Sequence, residues 1–433
     1  MKGNLYILYG PSGSGKSTIA NWLTEQGIVE VAPPKYTERP PREEEEDKDV
    51  LHVQDIETTS CDILYTLNDF RYGMDSNAIR RKLERGQNLV TVLSDLRVVR
   101  RLKQDMGSCV RLVFVASPID ERELEKINRK RHGGFQPTDE QRTVLGREFA
   151  RLTAGTRLEA WNEVADAMAN LFTSWRDALP GAKSLRVRID KIRQFHNRYI
   201  DNIGLFDHVI LNFDRSSLRV PLRQAENVLQ NDHSQTIHDR PQPVHHKPQP
   251  VIFMVCAPPG AGKGTLMENL NIMGKDKVRI VTKMAKRSEE ATDKRDGMVA
   301  IGDDGVFPEE FGWRWVFHGN TEYAVSVSEI NANIASGHPQ IFISNMSQMS
   351  AARALFGDRI VFLYLHSTLS EDQRRAHFVR KLGPRRAEER VRSADRVFLE
   401  YVDNITHFDH VLLNTTYPED LYDQMFRLLE HYS

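Results

Sequence analysis

The sequence predicts an α/β protein made of two copies of a three-layer domain, each with a parallel sheet covered by helices. Apolar strands alternate with helical segments, a glycine-rich loop follows the first strand of each half, and the two halves repeat one another. Such alternation produces parallel strands joined by right-handed crossovers. A chain of 433 residues is also longer than one ordinary hydrophobic core requires.

Four sequence blocks recur in the same order in both halves, and the last pair, YIDNIGLFDHVILN and YVDNITHFDHVLLN, is nearly identical. Four blocks in one order indicate an internal duplication. The paired blocks are 5–17 with 252–264, 71–95 with 322–345, 110–117 with 358–365, and 199–212 with 401–414.

The spacing of the blocks places an insertion in the first copy. Val113 and Val361 lie 248 positions apart but Tyr199 and Tyr401 only 202, which leaves 46 extra residues at about 133–185. Apolar residues in this insertion have the spacing of an amphipathic helix. The helix either packs on its own domain or docks a protein partner or a second copy of the chain.

The domain boundaries follow from composition. Residues 223–249 are rich in proline, glutamine and histidine and are predicted to be a linker. It would join a first domain at 1–222 to a second, more divergent domain at 250–433.

Composition also excludes several classes of protein. A net charge of −1 offers no general attraction to nucleic acids or membranes, and no run of 18 apolar residues occurs. Three separated cysteines suit neither a disulfide framework nor a zinc site. The short apolar N-terminus leads directly into a glycine loop, unlike a secretory signal. A cytoplasmic enzyme is expected.

The first glycine loop, GPSGSGKST, satisfies G-x-x-x-x-G-K-[ST] between a strand and a helix. Its backbone amides and the helix N-terminus would converge on phosphate oxygens. Lys16 would reach the β- and γ-phosphates, and the Ser17 hydroxyl would ligate Mg²⁺, so ATP or another nucleoside triphosphate with Mg²⁺ is expected. The predicted nucleotide-binding residues are Gly10, Ser12, Gly13, Ser14, Gly15, Lys16, Ser17 and Thr18.

The second loop, APPGAGKGT, departs from this pattern twice. Ala257 opens it, and a glycine replaces the Mg²⁺-binding hydroxyl. Its GKGT ending resembles the loop of adenylate kinases, with Thr265 as a substitute hydroxyl. Phosphate binding is predicted for Gly260, Gly262, Lys263, Gly264 and Thr265.

Beyond the first loop, the chain resembles the guanylate kinase superfamily of nucleoside monophosphate kinases. The matching motifs are Gly10–Ser17, Thr37–Glu45, Tyr72-Gly73, Asp95 and Phe206–Asn212. The resemblance implies two P-loop NTPase domains with helical lids, and transfer of a phosphoryl group from ATP to a nucleoside monophosphate. The second copy is also similar to ribose bisphosphate phosphokinases.

The resemblance implies an acceptor site whose cations grip a phosphate. Arg39 and Arg42 offer bidentate forks, helped by Tyr72. Asp95, at the end of a strand, would hold the acceptor ribose or a Mg²⁺-bound water. The acceptor's base stays open, because the guanine-reading position falls on Ile63 with Asp62 adjacent. The acceptor residues predicted in the first copy are Arg39, Arg42, Glu45, Tyr72 and Asp95.

In the second copy, residues 282–290 align with Thr37–Glu45, which puts Met284 in place of the first arginine. The acceptor residues predicted there are Arg287, Tyr323 and Asn345.

Arginine-rich segments after the fourth strand of each copy are predicted to be lids that deliver positive charge to the transferring group. The predicted catalytic residues are Lys16, Asp95 and the lid residue Arg131. Of the lid arginines, Arg131 in the first copy and Arg380 in the second fit this role best. The other lid cations are Lys126, Arg129, Lys130, Arg142, Arg147, Arg151, Arg374, Arg375, Lys381, Arg385, Arg386, Arg390 and Arg392.

The leading hypothesis is therefore ATP- and Mg²⁺-dependent phosphoryl transfer to a small phosphorylated acceptor. Two alternatives stay open. One is a nucleotide sensor in which one or both copies bind without turnover, and the other is a polynucleotide 5′-kinase. Nucleic acid is the less favoured partner, because the charge is neutral and aromatic stacking positions are lacking.

Overall fold

The computed structural model describes residues 3–41, 49–67, 69–117, 182–213, 218–234, 247–290, 293, 297–317, 321–369, 371–415, 417 and 419–433. Two compact units divide the chain, Met1–Ser117 with His196–Ser433 and Pro118–Phe195. Both copies of the repeat lie in the first unit. Of the second unit, only residues from Ala182 onward are described.

The first copy contains a parallel sheet of five strands in the order β2-β7-β1-β8-β9 and a mixed sheet of four in the order β4-β3-β6-β5. The strands are β1 Leu5–Tyr9, β2 Glu30–Val31, β3 Lys35–Thr37, β4 Val50–His52, β5 Ile63–Leu67, β6 Phe70–Met74, β7 Leu89–Val92, β8 Val110–Ala116 and β9 His208–Leu211. The helices are α1 Lys16–Glu25, α2 Ser76–Glu84, α3 Leu96–Met106, α4 Ala182–Asp201 and α5 Arg219–Ser234.

The second copy repeats both sheets, in the orders β11-β16-β10-β17-β18 and β13-β12-β15-β14. Its strands are β10 Ile252–Cys256, β11 Arg279–Ile280, β12 Lys283–Ala285, β13 Met298–Ala300, β14 Trp313–Phe317, β15 Thr321–Val325, β16 Gln340–Ser344, β17 Ile360–Ser367 and β18 His410–Asn414. Its helices are α6 Lys263–Met273, α7 Val327–Ala335, α8 Met349–Phe356, α9 Glu371–Leu382, α10 Pro384–Asp403 and α11 Glu419–His431.

The pattern of burial explains why these segments form these elements. All five side chains of β1 and of β10 are buried. A central strand of a parallel sheet is covered on both faces, so it consists of consecutive apolar residues. The flanking α3 buries one stripe, through Leu96, Val99 and Leu102 among others. The α/β class predicted from the sequence is confirmed.

The pairing of the strands corrects the register of the third repeat. Leu5 pairs with Val110 in the first copy, and Ile252 pairs with Ile360 in the second. Block 110–117 therefore corresponds to 360–367 and not to 358–365. Val110 and Ile360 are 250 positions apart, so the first copy has 48 additional residues before its last block.

The end of the first copy also differs from expectation. Helix α5 continues to Ser234, so the first part of the segment predicted as linker is helical. Lys247, near its other end, is buried and donates to the carbonyl of Ile360 at 2.7 Å. The amphipathic helix predicted within 133–185 lies almost wholly outside the described residues.

The two copies meet through their edge strands β9 and β18 with near two-fold symmetry. The Tyr199 hydroxyl donates to the carbonyl of Val411 at 2.6 Å, and the Tyr401 hydroxyl donates to that of Val209 at 2.8 Å. Both tyrosines are buried and occupy the same position in the repeat. Each edge strand therefore has carbonyl groups satisfied by the other copy.

Around these tyrosines, ion pairs and ring contacts repeat as well. Asp403 pairs with Arg223, and its counterpart Asp201 lies 3.7 Å from Arg427. Equivalent stacks lie beside them, Phe114 on Tyr199 with centroids 4.6 Å apart and Tyr364 on Tyr401 at 4.0 Å. Within the described residues, no helix has the length and hydropathy needed to cross a bilayer.

Candidate functional site

The first glycine loop is shaped by glycines in conformations that other residues rarely adopt. Gly13 and Gly15 have φ of 78° and 95°, and Gly15 caps the N-terminus of α1. A Cβ atom on Gly10 would lie 2.5 Å from the carbonyl oxygen of Val115. Only glycine fits this path. The resulting curve at the helix N-terminus is the arrangement in which backbone amides bind phosphate.

Lys16 stands at the first position of α1. Its Nζ donates to the carbonyl oxygen of Pro11 at 2.6 Å, across the loop. Burial lowers the pKa of Lys16 to about 8. A bound polyphosphate would favour the charged amine and raise that pKa again. Ser12, Ser17 and Thr18 are exposed around the same loop, so their hydroxyls are accessible to a ligand.

An asparagine clamps each loop, buried in the first copy and half-buried in the second, and sequence reasoning missed this role. Asn212, just after β9, donates from Nδ2 to the carbonyl of Ser14 at 2.8 Å and is 2% exposed. Asn414 makes the same bond to Ala261 at 2.9 Å. The signal was present, because both asparagines end the nearly identical block, but nothing in a linear sequence reveals a partner 198 positions away.

The second loop has the same course with fewer functional groups. Gly262 has φ of 104° and caps α6. Lys263 donates to the carbonyl of Pro258 at 3.0 Å. Gly264 follows where the first copy has Ser17, and Thr265 comes next. A loop of this shape can bind phosphate, but it lacks the hydroxyl adjacent to its lysine.

Of the predicted acceptor residues in the first copy, Tyr72 lies on the small mixed sheet and Arg39 follows its strand β3. Thr37 on β3 pairs with Tyr72 on β6 in antiparallel register. The Thr37 hydroxyl accepts from the backbone N–H of Arg39 at 3.1 Å, and Arg39 is 8% exposed. Arg42, Glu45 and Arg131 lie outside the described residues, as do the other lid cations predicted in the first copy.

A buried lysine ties this small sheet to the main one. Lys35 Nζ donates to the carbonyl of Val92 at 2.9 Å and pairs with Asp49 at 2.6 Å. Val92 ends β7, the parallel neighbour of β1. Because the first glycine loop starts at the carboxyl end of β1, the small sheet is attached next to it, at the edge where α/β proteins bind ligands.

Asp95 begins α3 at the same edge. Its carboxylate accepts from the backbone N–H of Arg97 at 2.8 Å and pairs with the Arg97 guanidinium at 2.6 Å. Burial raises the pKa of Asp95, but the hydrogen bonds from Arg97 outweigh it, so the pKa lies below its usual value. The carboxylate is therefore ionised at neutral pH.

Neither candidate for reading a guanine base is free to do so in the described geometry. Ile63 is buried in β5. The Asp62 carboxylate accepts hydrogen bonds from the backbone N–H of Ser76, at 2.6 Å, and from the Ser76 hydroxyl. Beside them lies a pocket of about 500 Å³. Its lining residues are Asp62, Ile63, Leu64, Tyr65, Thr66, Arg97, Val98 and Arg101.

The strand register corrects the match of the second acceptor site. Ala285 on β12 pairs with Tyr323 on β15, just as Thr37 pairs with Tyr72. Arg287 is therefore the counterpart of Arg39, and the proposed replacement of the first arginine by Met284 is wrong. Asn345 lies one residue before the strand position of Asp95, and it precedes the short helix Met346–Gln348 without a side-chain cap bond.

The chain is similar in sequence to several curated guanylate kinases. The chain is 28% identical to that of Alkalilimnicola ehrlichii over 139 residues, 30% of this chain and 66% of the relative. It is 32% identical to that of Bacteroides thetaiotaomicron over 130 residues, 27% of this chain and 61% of the relative. The matches thus span just under two thirds of these two relatives.

A solved guanylate kinase from Anaplasma phagocytophilum is 15% identical, with a TM-score of 0.30 over 43% of this chain and 87% of that chain. No protein-family model matches. The guanylate kinase of Sphingopyxis alaskensis is 31% identical over 168 residues, 37% of this chain and 72% of the relative. This last match is long and similar enough to assign the family: the chain belongs to the guanylate kinases.

Proposed function

We propose that the first copy transfers the terminal phosphoryl group of ATP to a nucleoside monophosphate. The observation that carries the proposal is the glycine loop of residues 10–15, curved by the positive φ of Gly13 and Gly15, with Lys16 beside it. The relatives named as guanylate kinases give the acceptor class. They lend no support to a sensor without turnover or to a polynucleotide 5′-kinase.

On the donor side, the loop amides and Lys16 would hold the β- and γ-phosphates. The clamp from Asn212 fixes the loop, so its dipoles need no rearrangement during the reaction. The exposed Ser17 hydroxyl is a hard oxygen ligand of the kind Mg²⁺ prefers. Mg²⁺ would reach the site with the nucleotide and neutralise phosphate charge. Within the described residues, no cluster of His, Cys, Asp or Glu side chains forms a separate metal site.

On the acceptor side, Arg39 and Arg42 would grip the acceptor phosphate, with Tyr72 donating a further hydrogen bond. The pocket beside β5 is large enough for a nucleobase. GMP is the first acceptor to test, because the relatives are named as guanylate kinases. Asp95, ionised and turned toward Arg97, is proposed to orient the acceptor ribose.

The test is ADP formation by the full chain with ATP and Mg²⁺ across ribo- and deoxynucleoside monophosphates and pentose phosphates. We expect turnover with at least one nucleoside monophosphate, and its loss in Lys16→Ala. Arg85→Ala removes an exposed arginine at the end of α2 and serves as the charge control. A folded chain that turns over none of these acceptors would contradict the proposal.

A further inference from the structure

The acceptor site of the second copy has a different charge from that of the first. Lys35 pairs with Val50, and Lys283 pairs with Met298, in the same parallel register. The two segments have equal length, so they align without a gap. Glu290 then takes the position of Arg42, and Asp293 takes that of Glu45. The second cation for an acceptor phosphate has become a carboxylate.

The remaining arginine of that site is already engaged by carboxylates. The two guanidinium nitrogens of Arg287 contact the two carboxylate oxygens of Asp293 at 2.6 and 3.0 Å. Glu290 lies 3.5 Å from the same guanidinium. Asp293 is 3% exposed, which makes this pair well shielded from solvent. A fork–fork pair uses the geometry that would otherwise bind a phosphate.

An acceptor phosphate bound beside Arg287 would meet the negative charges of Glu290 and Asp293. Each carboxylate beside the Arg287 guanidinium repels a phosphate brought to the same place. One arginine cannot neutralise Glu290, Asp293 and a doubly charged phosphate together. The arrangement therefore disfavours a phosphorylated acceptor, whatever sugar or base it carries.

The donor side of the second copy is obstructed as well. The ring of Phe378, on α9, rests on the glycine loop, where a Cβ atom on Gly260 would lie 2.6 Å from the ring. Phe378 is buried with Ala387 and Val391, and the partly buried Leu382 packs against them.

Two of the cations predicted for the second lid are directed at acidic residues of α10. Arg375 pairs with Glu388, and Arg374 lies 3.8 Å from Asp395. This lid covers its own loop with an aromatic ring.

We propose that the second copy takes no phosphorylated acceptor and transfers no phosphoryl group, and that it serves as a built-in partner domain for the first. The carboxylates of Asp293 and Glu290 bind Arg287, and Phe378 covers the glycine loop of the second copy. What it retains is the contact with the first copy, through Tyr401 and Asp403. The proposal rests on the function proposed for the first copy only for its choice of probe.

The test is isothermal titration of the full chain with GMP, or with the nucleoside monophosphate that supports the highest turnover. We expect one site per chain, weakened about 50-fold or more in Arg39→Ala and unchanged in the charge control Arg85→Ala. Thermal unfolding followed by circular dichroism checks that each variant is folded.

The outcomes separate the two proposals. Two sites per chain, or one site that Arg39→Ala does not weaken, would overturn the inference, because an acceptor would then bind outside the first copy's site. No site at all would sink the function proposed for the first copy, while agreeing with a second copy that takes no acceptor.

Discussion

The two glycine loops share the same backbone frame and differ in their functional side chains. Each loop follows a buried central strand and ends in a glycine with positive φ that caps the next helix. An asparagine, Asn212 or Asn414, clamps each loop. Beside this common frame, Ser17 is matched by Gly264 and Arg42 by Glu290. Backbone clamps support folding in either copy, whereas hydroxyls and cations matter only where phosphate is handled. The difference separates structural residues from those that the proposed reaction requires.

The largest expected contrast comes from the paired lysines. Lys16→Ala should lower kcat for phosphoryl transfer about 10³-fold, because one preorganised charge at the transferring group is lost. Lys263→Ala should change it less than about threefold. Steady-state assays on both variants measure the contrast. Comparable losses in the two would show that both copies transfer.

The asparagine clamps give a second contrast. Asn212→Ala removes the bond that holds the Ser14 carbonyl, and we expect the Kd for ATP to rise about tenfold, since loop preorganisation is worth about 1–2 kcal/mol here. Asn414→Ala should leave transfer and the Kd at the first loop unchanged. Fluorescence titration with a labelled ATP analogue measures both. Equal effects would mean that the loops act as one site.

The lowered pKa of Lys16 predicts how binding depends on pH. Below pH 8, Lys16 carries its proton in the free protein. Above pH 8 the free amine is neutral and must take up a proton to hold phosphate, so affinity falls by up to about tenfold per pH unit. Calorimetry of ATP binding in buffers of different ionisation enthalpy should show proton uptake near pH 9. Proton uptake that persists in Lys16→Ala would have to come from another titratable group.

The interface between the copies should give the smallest effect. Tyr199→Phe and Tyr401→Phe each leave a buried carbonyl without its donor, so each should lower the free energy of unfolding by about 1–2 kcal/mol. Urea titration measures the loss. Because the bonds are related by the repeat, the two losses should be similar. A loss in only one variant would argue against a symmetric interface.

The sequence predicted the repeat, the parallel sheets and the positions of both loops, since these depend on local patterns. It missed the register of the third block because an apolar run can slide by two residues without changing its pattern. The sequence alone aligns Arg287 with Arg42, because Thr282 resembles Thr37. The pairing of Tyr323 with Ala285 sets the true register, and pairing is a property of the folded sheet.

The charge change at Glu290 could not be recognised until that register was known. The bond between Arg287 and Asp293 was likewise hidden, because it depends on how the loop turns between β12 and β13. The contacts of Tyr199 and Tyr401 depend on the packing of two edge strands and have no local signature.

The most direct test is a crystal structure of the full chain with a bisubstrate analogue, in which adenosine and guanosine are joined by five phosphates. We predict one analogue per chain, with its phosphates running from residues 10–17 to Arg39, and with Arg287 still bound to Asp293. An analogue lying across the second loop, with Arg287 released from Asp293 and Phe378 displaced, would contradict the account.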